Sequence, residues 1–302
     1  MDGYFDIICT FFGTICSVSY GIILAAQLSL AKLLVVSHVH PIQIAFFRCL
    51  VHLFCIPPFR HETDTFTAYD TTLYFLSALT GAFSWMFTAS TLLYLEVGDS
   101  TTIELGASVV FTALMAHVYL SEHVKKFDVI LLLVDVTGII LISKPTFLFG
   151  GMEYHREKNQ LIGVLMALIS AFFISLWPMF VKKLSNKGTL YFMLLNFLHG
   201  VVGVPLTLLC SLFFESWFTS SSAVTWVLTL LFSLVCLIQT VVQAAALDLE
   251  DAKTVAVSST ISTVVTYVVQ LTVFAAAFDW VVISGALLIT LTVIWWQFKC
   301  EG

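Results

Sequence analysis

One hydrophobic plan is written twice in this chain, about 150 residues apart, with an odd number of apolar segments in each copy. Gly13–Leu34 (GTICSVSYGIILAAQLSLAKLL) and Gly163–Leu184 (GVLMALISAFFISLWPMFVKKL) are both 22 residues long and both begin with Gly. Lys32 and Lys182 stand in them at a shared offset of 150. A five-span unit repeated once must insert upside down the second time, an arrangement that belongs above all to carriers. The repeat units expected are residues 1–150 and 151–302.

Only 11% of residues are charged, 59% are apolar, and the mean hydropathy is +0.99. A soluble domain carries about 25% charged residues, so this chain could not solvate a globular surface. Segments long enough to cross a bilayer are 7–35, 41–57, 71–93, 101–120, 127–143, 161–181, 189–213, 223–247, 254–274 and 280–298. The expected fold is an all-α polytopic membrane protein, ten transmembrane helices arranged as two inverted five-helix repeats. Asp2 and Asp6 occupy the place of a basic n-region, so the first apolar stretch reads as a retained span.

Lysine and arginine set the orientation. With the N-terminus inside, the cytoplasmic segments hold Arg60, Lys125, Lys126, Lys182, Lys183, Lys187, Lys253 and Lys299. The outer segments hold Lys144, Arg156 and Lys158, so both termini are expected to be cytoplasmic. Trp280, Trp295 and Trp296 fall near span ends, where aromatic anchors belong. Whether the host membrane is the plasma membrane or the endoplasmic reticulum and Golgi stays open.

The offset persists along the chain. YLEVGDSTT (94–102) aligns with ALDLEDAKT (246–254) at 152, keeping Leu95/Leu247, Asp99/Asp251 and Thr102/Thr254. Phe127-Asp128 recurs as Phe278-Asp279 at 151. The run Gly98-Asp99-Ser100-Thr101-Thr102, the helix end Leu120-Ser121-Glu122 and Phe127–Ile142 with Gly138 resemble the end of one repeat in the drug/metabolite transporter superfamily (EamA-type). Phe47-Arg48-Cys49, the Lys144–Gly150 run (KPTFLFG) and Phe180-Val181-Lys182-Lys183 resemble the G subgroup of solute carrier family 35. The resemblance implies alternating access around a central cavity. The chain departs from it at Ser108, where proline is usual, at Glu104, where a small or hydroxylic residue is usual, and at Glu122, whose counterpart is Phe274.

Ionisable groups inside spans are costly and mark pathways. Arg48 lies mid-span, and its planar guanidinium suits a bidentate grip on carboxylate or phosphate. His199 stands at an offset of 151 from it, so the repeat predicts two basic groups at equivalent depth around one cavity. The competing reading pairs Arg48 with Glu104 or Asp135 to fix helix register. Glu104 could carry a coupling proton or neutralise Arg48. Asp135 suits packing or contacts in a homodimer, and Lys32 suits snorkelling to the interface. Asn196, Gln43, Gln239, Gln243, Gln270 and Trp85 could line a cavity by hydrogen bonding or stacking, or act as interhelical glue. Pro178 should kink the sixth span, whereas its counterpart is Leu28.

No enzymatic signature or P-loop occurs, so neither catalysis nor direct use of ATP is expected. No cofactor or metal is expected, because the seven cysteines form no Cys-x-x-Cys pair. The absence of a basic run excludes nucleic acid as a partner. The expected function is secondary transport of a small anionic molecule across a lipid bilayer, with proton coupling. The alternatives are nucleotide-sugar antiport and a non-transporting membrane adaptor.

Overall fold

Inside a bilayer a chain must satisfy its own backbone polar groups, which leaves long apolar segments helical. The computed structural model describes residues 2–55, 67–95, 97–121, 125–143, 157–184, 191–212, 222–273 and 280–299, and every regular element among them is a helix. These are α1 (Asp2–Val36), α2 (Pro41–His52), α3 (Ala68–Thr91), α4 (Val97–Tyr119), α5 (Lys126–Ser143), α6 (Glu157–Leu184), α7 (Tyr191–Ser211), α8 (Ala223–Leu249), α9 (Ala252–Ser259), α10 (Ile261–Val273) and α11 (Trp280–Lys299). Helices α9 and α10 follow each other within one predicted apolar segment, so the described helices correspond to the ten segments that the hydropathy pattern predicts. Five of the described stretches are long and apolar enough to cross a membrane by themselves, and Ile103–Tyr119 and Ile283–Trp295 are shorter apolar helices. The expected boundary at 150/151, the Lys144–Gly150 run, Glu122 and Phe274 lie outside the described residues.

The helices expose large apolar side chains to their surroundings and bury charged and polar ones within an apolar core, which a soluble bundle does not do. Leu133, Leu161, Leu230 and Leu287 are exposed, whereas Arg48, Glu104, Asp135, Gln27 and Gln243 are buried. Lipid is the solvent that such a surface fits. Local signals set the helix starts: Pro41 occupies the first turn of α2, and Thr67 and Asp70 form a capping box at α3.

Packing follows the repeat. Helix α1 packs on α8, and its counterpart α6 packs on α3; α1 also packs on α9 and α10, and α6 on α4. Helices α2 and α7 pack on each other, as do α5 and α11, so exchange of the repeats maps each of these pairs onto itself. Small residues make the crossings. A Cβ on Gly13 would lie 2.8 Å from Glu250 Oε1, and one on Gly163 would lie 2.7 Å from Leu95 Cγ, within one helical turn of the equivalent place in the other repeat. Gly200 abuts the Cys49 carbonyl across α2–α7, and Gly138 and Gly285 abut each other's carbonyls across α5–α11.

Two details depart from the sequence reading. Helix α2 ends at His52, earlier than the apolar run to residue 57: the N–H groups of Leu53, Phe54 and Cys55 turn back to the carbonyls three residues before them, those of Leu50, Val51 and His52. The ninth span breaks at Thr260, where Gly21 of α1 presses against Ile261 and against the carbonyls of Ser258 and Ser259. Thr260 Oγ1 lies 2.6 Å from the Val257 carbonyl oxygen and donates to Asp135 Oδ1 at 3.1 Å. Asp135 therefore points inward and is fully buried, and its carboxylate offers nothing to a dimer interface.

Candidate functional site

A central cavity lies where the self-paired α2 and α7 meet the long helices α1, α3, α4, α6 and α8 and the short α9, and it is lined by matched positions of the two repeats. Leu24 and Ile174, Leu28 and Pro178, Thr88 and Thr240, and Glu104 and Ala256 all face it. Arg48 and His199 also face it, so the offset of 151 brings the two basic groups into one site. Gln243 and Trp85 line the same space. Asn196 is fully buried on α7, three residues before His199, but does not line the cavity. Pro178 sits within a continuous α6; lacking an N–H, it leaves the carbonyl of the cavity-lining Ile174 without its helical donor. Pro205 interrupts the hydrogen bonding of α7 likewise, a feature the sequence reading passed over.

Arg48 is 4% exposed, and its guanidinium carbon stands 4.4 Å over the Trp85 ring. Nε and Nη1 are buried without a hydrogen-bond partner. The neighbours on its other sides are the Cys236 and Cys49 thiols and the Tyr20 ring. Gln27 Nε2 donates to Cys236 Sγ at 3.0 Å, and Gln239 Nε2 donates to Gln243 Oε1 at 3.0 Å, closing the α8 wall. A buried guanidinium with idle donors has the chemistry to accommodate an acceptor-rich group.

The pairing of Arg48 with Glu104 or Asp135 does not form. Glu104 is held by hydroxyls: Thr91 Oγ1 donates to Oε1 at 3.4 Å, and Thr88 and Ser170 complete the cage. Asp135 is engaged by Thr260. Among the described residues no carboxylate lies within ion-pair distance of Arg48.

Three residues escaped the sequence reading. His52 is fully buried, its ring centroid 4.9 Å from that of His199. Its only sequence signal is its place four residues after Arg48, on the same helix face. Thr240 Oγ1 lies 3.3 Å from His52 Nε2. Gly81 gives the His199 imidazole room, since a Cβ there would lie 2.7 Å from Cε1 and Nδ1.

At the C-terminal end of α8, Lys182 Nζ donates to the carbonyls of Leu247 at 2.6 Å and Glu250 at 2.7 Å, capping the helix with a cation. Tyr191 donates to Asp248 beside it. Burial raises the Glu250 carboxyl above its ordinary range, Asp251 adds to the rise, and Lys182 opposes it.

Known proteins resemble this chain in sequence and in fold. Residues 11–144 match the EamA-like transporter family. Solute carrier family 35 member G1 of Mus musculus is 24% identical over 282 residues, covering 90% of this chain and 76% of that protein. The Homo sapiens protein of the same name is 25% identical over 277 residues, covering 89% and 75%. A solved crystal structure superposes with a TM-score of 0.73 at 13% identity, over 97% of this chain and 99% of its own, which is a likeness of fold alone.

Proposed function

We propose that this multi-pass membrane protein, which carries an EamA-like transporter domain and resembles solute carrier family 35, is a secondary carrier of small organic anions. The observation that carries this reading is Arg48: a buried cation, stacked on Trp85, with two idle donors and no carboxylate beside it among the described residues. An anion in the cavity would supply both the missing charge and the missing acceptors. The aromatic faces of Tyr20, Trp85 and Trp177 would cover the apolar body of such a ligand.

Pseudo-symmetry supplies the means of movement. A site on the axis of two inverted repeats can be exposed to either side by rocking one repeat against the other, without moving the site itself. The glycine crossings at α2–α7 and α5–α11 lie on that axis and suit small rigid-body shifts.

Proteoliposomes test the reading. The protein should take up at least one of labelled pyruvate, succinate and tricarballylate above empty liposomes, and Arg48→Ala should reduce that uptake to background. Unchanged uptake of every substrate by Arg48→Ala would mean that Arg48 is not the anion site.

A further inference from the structure

His52 has hydrogen-bond partners ready for both of its protonation states. Nδ1 lies 2.6 Å from the Arg48 carbonyl oxygen, which only accepts, so Nδ1 carries a hydrogen. Nε2 lies 3.3 Å from Thr240 Oγ1, and the same hydroxyl lies 2.9 Å from the Cys236 carbonyl oxygen. Thr240 therefore has one hydrogen and two acceptors in reach. With the hydrogen turned to Nε2, His52 is neutral. With it turned to the Cys236 carbonyl, Nε2 must donate, and His52 is an imidazolium with both N–H groups bonded. An imidazolium buried without partners is costly; here the partners are in place and only a hydroxyl has to rotate.

The surrounding groups link this proton to the anion. From α2 they are Arg48 and the Cys49 thiol, from α7 His199, and from α8 the Cys236 thiol; α1 contributes Tyr20, which faces Arg48. Helix α3 brings Trp85 and Gly81, which do not ionise, and among the described residues no carboxylate contacts either imidazole. The Arg48 charge repels a proton from His52. An anion on Arg48 cancels that charge, so anion and proton favour each other's binding, and the coupling is reciprocal. Glu104 lies in its cage of hydroxyls without a contact to Arg48 and has no such link.

We propose that the His52–Thr240 pair takes up the proton that travels with the anion, making the carrier a proton-coupled one; this rests on Arg48 as the anion site. Thr240 lines the cavity and His52 does not, so Thr240 is the relay. Its oxygen accepts an excess proton from a hydronium in the cavity, which leaves as water, while its own hydrogen passes to Nε2; release reverses the transfer.

Two assays on the reconstituted full chain separate coupling from transport: exchange of a pool of labelled pyruvate, succinate and tricarballylate at equal pH, and accumulation of that pool under an inward proton gradient. One proton per anion and a gradient of one pH unit support about tenfold accumulation. The wild type should show both. His52→Gln, which lies outside the cavity lining, should keep exchange and lose accumulation, and Thr240→Val should lower accumulation by a larger factor than it lowers exchange. Accumulation retained by His52→Gln, or lost by Glu104→Gln with exchange intact, overturns the proposal. Loss of exchange in both pair variants assigns the pair a structural role and also overturns it. Loss of exchange in the wild type removes the anion reading itself.

Discussion

Gly81 and His199 occupy one space: a Cβ on residue 81 would lie 2.7 Å from two ring atoms of the imidazole. The cavity therefore owes the position of one basic group to the absence of a side chain on the facing helix. Gly81→Ala should displace the ring and destabilise the protein by about 1–3 kcal/mol, the usual cost of overpacking. Thermal unfolding in detergent reads the loss. Adding His199→Ala should recover much of it, and failure to recover would show that residue 81 acts on another neighbour.

Trp85 should matter through its ring face. The guanidinium of Arg48 stands 4.4 Å above it, a desolvated cation–π contact worth about 2 kcal/mol. Trp85→Leu should lower carboxylate uptake several-fold, while Trp85→Phe should retain most of it. Equal loss in both variants would point to ring size or the indole N–H instead.

Lys182 is predicted to hold the end of α8. Its ammonium donates to two terminal carbonyls, and charge-assisted hydrogen bonds contribute about 1.5–3 kcal/mol each way they are measured. Lys182→Met should destabilise the protein by a similar amount, and Lys182→Arg by less. Unfolding midpoints of the three proteins at one pH provide the check.

Glu250 gives a pH dependence of known sign. Its carboxyl is raised above 4.5, first by burial and then by Asp251. The folded state therefore favours the protonated form, so the stability linked to this group is fully present below the ordinary value and is lost as pH rises through the raised one. Glu250→Gln should raise the unfolding midpoint at neutral pH and leave it nearly unchanged in acid. A midpoint gain of equal size at both would contradict the linkage.

Orientation is open to a direct check. The eight-to-three bias of Lys and Arg predicts that both termini are cytoplasmic. A C-terminal epitope should be reached by antibody only after permeabilisation; labelling of intact cells would reverse the assignment.

The spans and the duplication were legible because lipid imposes them: length and apolarity define a crossing helix, and equal offsets survive divergence inside helices. The same offset joined Arg48 to His199 before any coordinates. His52 was hidden because one polar residue in an apolar run reads as packing, and only the fold brings Thr240 of α8 to its Nε2. The break at Thr260 left no local sign either. No Gly or Pro stands in 252–273, and the cause lies across the fold, in Gly21 and Asp135. Of the two readings of Glu104, the partnership with Arg48 does not form, because hydroxyls on α3 and α6 take its carboxylate instead.

The central claim is that an anion binds at Arg48, and equilibrium binding to the purified protein tests it most directly. Labelled pyruvate, succinate or tricarballylate should bind the wild type, and Arg48→Ala should weaken the best of them at least tenfold, as expected for loss of about 2 kcal/mol or more from a buried charged contact. Arg48→Lys should fall between, because a point charge replaces a planar fork. Undiminished binding by Arg48→Ala would contradict the account.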